Sequence, residues 1–62
     1  MATELPRIGA PATRALTQEG ITSLEQAGDA GEAALLALHG VGPKAIRILR
    51  EALAEQGLQL KA

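Results

Sequence analysis

The sequence predicts a small all-α domain of four short helices, and three observations carry that prediction. Seven glycines, Gly9, Gly20, Gly28, Gly31, Gly40, Gly42 and Gly57, cut the 62 residues into pieces too short for much besides helices and turns. Apolar residues recur at helical spacing, most clearly at Ile46, Leu49 and Leu53. A composition that is 47% hydrophobic yet has no Phe, Tyr or Trp calls for an aliphatic core of Leu, Ile, Val and Ala. A chain of this length buries only about 60% of the surface its unfolded form exposes, so its connections must be short. Residues 1–62 are read as one domain, with residues 1–4 expected to be disordered.

Pro11 suits the first turn of a helix, where its missing N–H has no partner to lose, and Ala12 to Glu19 continue that helix up to Gly20. Thr22, with Glu25 three residues on, has the spacing of a capping box and predicts a second helix over residues 23–27. Asp29 and Glu32 offer a looser start for a third, carried by AALLAL to Leu38. The fourth and longest runs from Pro43 to Gln56. It places Ile46, Leu49, Ala52 and Leu53 on one face and Lys44, Arg47, Glu51 and Glu55 mostly on the other.

The first and fourth helices look like two copies of one unit. IGAPATRAL at residues 8–16 aligns with VGPKAIRIL at 41–49 at an offset of 33, sharing Gly, Ala, Arg and Leu, and the fourth helix is one turn longer. Both endings have the Schellman pattern, with Gly20 and Gly57 as left-handed residues after the helix. Ile21 and Leu58 are then expected to fold back onto Leu16 and Leu53.

A net charge of -1 and a pI near 5.7 give no global sign of a polyanion binder. The charge is nonetheless segregated along the chain. Residues 5–16 hold Arg7 and Arg14, and residues 38–50 hold Lys44, Arg47 and Arg50, whereas Glu19, Glu25, Asp29 and Glu32 fall between them. The absence of cysteine removes disulfides and thiolate metal sites and favours a reducing compartment. No apolar stretch approaches the roughly 18 residues of a membrane span, and MATELPR lacks the apolar core of a signal peptide. A cytoplasmic, soluble protein without a membrane partner is expected. An enzyme is not, because the single histidine, His39, has no triad partner suggested by the sequence. The lack of aromatic rings also argues against a single-strand binder that stacks bases.

The segment LHGVGPKAIRILREAL, residues 38–53, places Gly40 and Gly42 immediately before the longest helix. A helix N-terminus offers unpaired N–H groups and the positive end of the macrodipole, which together favour an anion. Two glycines leave those donors unshielded, and Lys44 adds charge at the same place. A tight interhelical turn would use the same glycines.

At His39, Gly40, Val41, Gly42, Pro43 and Lys44 the chain resembles the helix-hairpin-helix family of DNA-binding modules. The order of four helices, GITSLEQ in the middle and the ending LREALAEQGLQL resemble more specifically the C-terminal domain of the bacterial RNA polymerase alpha subunit and its small free-standing relatives. The resemblance covers residues 5–60 and implies a compact four-helix domain of tandem helix-hairpin-helix, SAM-like type. The first hairpin is incomplete, since Arg7 stands where the second has Gly40.

Carried over residue by residue, the resemblance implies DNA-backbone contacts at Gly42, Lys44 and Ala45 and, from the first helix, at Pro11, Arg14 and Ala15. Gly40 and Val41 complete the hairpin, with Val41 turned into the core. The chain departs from the polymerase pattern at Pro11, where that domain carries its main groove-reading arginine. No cofactor is implied beyond a monovalent cation that the family's hairpin carbonyls sometimes hold.

Arg47 lies one turn along the fourth helix, within reach of an adjacent phosphate, although pairing with Glu51 explains it nearly as well. Arg7 in the preceding loop is a further candidate, Arg50 reads as a surface charge, and His39 as a supporting turn residue. Glu25, Asp29 and Glu32 read as helix caps and a solvated face. The expected function is non-sequence-specific binding of double-stranded DNA by a monomer, as a weak accessory or targeting module. The rival is a protein-protein interaction module of the same fold.

Overall fold

Aliphatic side chains at helical spacing converge from four helices in a computed structural model that describes residues 3–61. The elements are α1 (Ala10–Gln18), α2 (Leu24–Ala30), α3 (Glu32–Leu36) and α4 (Pro43–Glu55), with no strand among the described residues. Leu16, Leu24, Leu35, Leu49 and Leu53 are fully buried, and Ala12, Ala15, Ala27, Val41, Ala45 and Ile46 fill the space between them. The radius of gyration, 10.0 Å, is close to the roughly 10.6 Å expected of a folded chain of this length.

The two repeat units superpose in kind. Each helix starts on a glycine N-cap, Gly9 or Gly42, and buries the matched pairs Ala12 and Ala45, and Leu16 and Leu49. Their lengths of 9 and 13 residues differ by the one turn expected. Both end in Schellman motifs. Ile21 N–H donates to Leu16 O at 2.8 Å and Gly20 N–H to Thr17 O at 3.0 Å, while Leu58 N–H donates to Leu53 O at 2.8 Å and Gly57 N–H to Ala54 O at 3.0 Å. Ile21 packs on the core, whereas the Leu58 side chain stays 37% exposed, so there the motif is closed by the backbone.

The second and third helices differ from expectation in register. The capping box is Ser23 with Gln26, one residue later than the Thr22–Glu25 pair. Gln26 N–H donates to Ser23 Oγ at 3.2 Å and Ser23 N–H donates to Gln26 Oε1 at 3.1 Å. Helix α2 then runs through Gly28 instead of ending before it. A Cβ at Gly28 would lie 3.1 Å from Leu53 Cδ2 and 3.3 Å from Gln59 O, so this glycine serves the approach of α4 and the tail. The break falls at Gly31, whose φ of 93° belongs to glycine's territory, and α3 stops at Leu36 instead of Leu38. Helix α3 lacks a side-chain cap. Its first N–H, from Glu32, donates to Lys61 O at 2.8 Å, and Lys61 N–H donates to Gly28 O at 3.0 Å, so the C-terminal segment straps the α2–α3 junction.

Of residues 1–4, expected to be disordered, Met1 and Ala2 lie outside the described residues, and Thr3 is bonded to Glu25, which takes no part in the capping box. Thr3 N–H and Oγ1–H donate to the two Glu25 carboxylate oxygens at 2.8 and 2.7 Å, and Leu24 N–H donates to Thr3 O at 2.8 Å. The Thr3 hydroxyl, then the Thr3 N–H, then the backbone N–H of Glu25 hold the Glu25 carboxyl below its ordinary value. A depressed carboxyl contributes stability above the unfolded value and loses it as pH falls through the folded one. Urea midpoints followed downward from pH 6 are therefore expected to fall more steeply through the carboxylate range, about pH 4.5 and below, in the parent than in Glu25→Gln. Parallel curves would show that the latch contributes nothing.

Candidate nucleic-acid interface

Gly40 and Gly42 flank one buried valine, and the fold uses them for different ends. Gly40 has φ of 98°, and a Cβ built on it would sit 2.9 Å from Pro11 O and 3.3 Å from the Pro11 carbonyl carbon. The backbone of the α3–α4 connection (residues 37–42) therefore rests on the first turn of α1. Val41, 7% exposed, anchors this connection in the core, and its N–H donates to Leu38 O at 3.2 Å. Gly42 is the N-cap of α4 with φ of -115° and ψ of -178°, extended backbone that any residue adopts. Beyond its chain neighbours, no atom lies within 4 Å of its Cβ position.

The start of α4 is a bare helix end. Gly42 has no side chain to cap it, no acidic residue stands in the first turn, and Pro43 occupies N1. The first turn-spanning bond is Ile46 N–H to Gly42 O at 3.1 Å, and among the described residues the N–H groups of Gly42, Lys44 and Ala45 have no protein acceptor. Lys44 is exposed and makes no ion pair or side-chain hydrogen bond among the described residues. Helix α1 starts the same way, with Gly9 as N-cap and no first-turn acid, whereas α2 and α3 carry Glu25 and Glu32 in their first turns. The acid-free starts belong to the two repeat units.

The contact between Gly40 and Pro11 assembles a cleft of about 230 Å³ lined by Pro11, Arg14, Ala15, Gln18, His39 and Gly40. Pro11, Arg14 and His39 are exposed, so candidates from both units meet on one surface. Ala45 and Ala15 are buried at 6% and 8% exposure; their side chains are core, and Ala45 can contribute only its backbone N–H. Arg47 is exposed but lines a different hollow, with Glu32, Pro43, Ile46, Arg50 and Glu51. It forms no ion pair with Glu51 among the described residues; the pair formed is Arg50–Glu32, between exposed side chains. Arg7 is exposed ahead of α1 and lines neither hollow.

The sequence did not disclose the abutment of Gly40 on Pro11, although one signal bears on it. The first unit has Arg7 at the position of Gly40, so only the second has a glycine where the chain meets a helix start. Among the described residues no cluster of three or more His, Cys, Asp or Glu side chains is placed to hold a metal ion. No helix of the described residues is long and apolar enough to cross a membrane. Comparison with protein-family models, with curated proteins and with solved structures finds no match.

Proposed function

We propose that this is a domain of tandem helix-hairpin-helix type that binds double-stranded DNA without sequence selectivity, through the phosphate backbone, as a weak accessory or targeting module. The observation that carries the proposal is the start of α4. Among the described residues its Gly42, Lys44 and Ala45 N–H groups have no protein acceptor, Lys44 has no partner, and the space at Gly42 is open. Such a point attracts an anion through its backbone dipoles and its charge together. Arg14, exposed on the matching unit in the cleft that Gly40 also lines, is the candidate for a neighbouring phosphate. Pro11 and the small basic surface fit backbone contact better than base reading, which needs long donors reaching into a groove.

With about three or four phosphate contacts, the slope of log K against log salt is expected to be roughly -3 to -4, with Kd between about 10⁻⁴ and 10⁻⁶ M. Titration of a duplex into isotopically labelled protein at about 50 mM salt is expected to shift the amide signals of Gly42, Lys44 and their neighbours first. Unmoved signals there would overturn the DNA reading and leave the protein-interaction module in its place.

A further inference from the structure

We propose that the cleft between α1 and the α3–α4 connection is a second phosphate subsite of the same DNA-binding face, in which His39 supplies a contact that depends on its protonation. The inference rests on the DNA-binding reading above and adds to it a residue and a pH dependence. Arg14 projects from α1 and His39 from the connection, and the close packing of Gly40 on Pro11 brings them to one cleft. Both are exposed, and neither forms a hydrogen bond or ion pair among the described residues. Arg14 is the charged group that faces His39. The other lining residues, Pro11, Ala15, Gln18 and Gly40, are uncharged, and no carboxylate lines the cleft.

A phosphodiester stays anionic throughout the pH range in which an imidazole gains and loses its charge. Neutral imidazole offers one N–H donor; imidazolium offers two and a charge that strengthens both. A phosphate lodged between Arg14 and His39 also screens the repulsion of two adjacent cations, so the complex favours the charged ring. By linkage, DNA binding takes up a proton at His39, and affinity rises as pH falls. Gln18 adds an amide donor at the edge of the cleft, which serves either protonation state.

The test compares duplex affinity of the full chain and of His39→Gln at about pH 7.5 and about pH 5.5, at fixed ionic strength. His39 is exposed, and an unchanged helical dichroism signal confirms that the variant is folded. The parent is expected to bind about three- to tenfold more tightly at the lower pH, with a salt slope steeper by up to about one, and the variant to lose that gain. A parent without pH dependence, or a variant that keeps it, overturns the role of His39 while leaving binding at the start of α4 intact. Absence of duplex binding by both proteins at both pH values removes the DNA reading itself. Inorganic phosphate is the second arm: a His39 response to it at the concentrations effective for duplex would reassign the cleft to a free anion.

Discussion

Gly40→Ala is expected to destabilise the domain by about 2–4 kcal/mol. Two penalties act together. A φ of 98° is foreign to alanine, and the new methyl carbon would stand 2.9 Å from a backbone carbonyl oxygen that belongs to α1 and cannot swing aside. The start of α1 or the connection has to shift, and Val41 and Ala12, buried on either side of that contact, shift with it. Gly20→Ala is the control. Gly20 has φ of 78° with nothing near its Cβ position, so it incurs the backbone penalty alone, about 1 kcal/mol. Urea unfolding of the two variants separates the terms: equal losses would show that the Pro11 contact has slack. Against the 3–5 kcal/mol that a core of this size typically supplies, the expected loss leaves little folded protein at body temperature.

Features encoded within one turn of chain were legible in the sequence. The Schellman endings at Gly20 and Gly57, the start of α4 at Pro43 and the paired burial of Leu16 and Leu49 depend on a few neighbouring residues and a period. The second and third helices were placed less well for a physical reason. Thr22 and Ser23 are both able caps, and Glu25 and Gln26 are both able partners. Glu25 is drawn off by Thr3, a contact 22 residues away in sequence, leaving Gln26 to close the box. Glycine gave a similar ambiguity. Gly28 and Gly31 look alike in the sequence, yet one makes room for Leu53 and the other turns the chain, and only the packing of α2 on α4 distinguishes them.

The candidate site divides along the same line. Lys44 and the bare start of α4 follow from local order, so the sequence placed them. The meeting of Arg14 with His39 requires the connection to rest on α1, and the separation of Arg47 from that cleft depends on which flank of α4 the core occupies. The ion pair of Arg50 with Glu32 likewise spans 18 residues. Two carboxylates of the acidic middle segment are thus engaged within the fold, Glu25 on Thr3 and Glu32 on Arg50, and the first turns of α1 and α4 carry no acidic residue.

Gly42→Ala is expected to leave the domain folded and to weaken duplex binding at least as much as Lys44→Ala does. The fold makes no demand for glycine at this position. Its φ of -115° suits alanine and the Cβ position is open, so stability should change by less than about 1 kcal/mol in either direction, entropy gained in one balance and N-cap preference lost in the other. The space is open to a group from outside the chain. A phosphate approaching the N–H groups of Gly42, Lys44 and Ala45 would meet the added methyl and lose several donors at once, whereas Lys44→Ala removes one charge and should flatten the salt slope by about one. Affinities at low salt and unfolding midpoints of the two variants, measured side by side, decide the matter. If Gly42→Ala binds duplex as well as the parent while Lys44→Ala does not, the start of α4 is a turn beside a lysine, and no phosphate is held by its backbone.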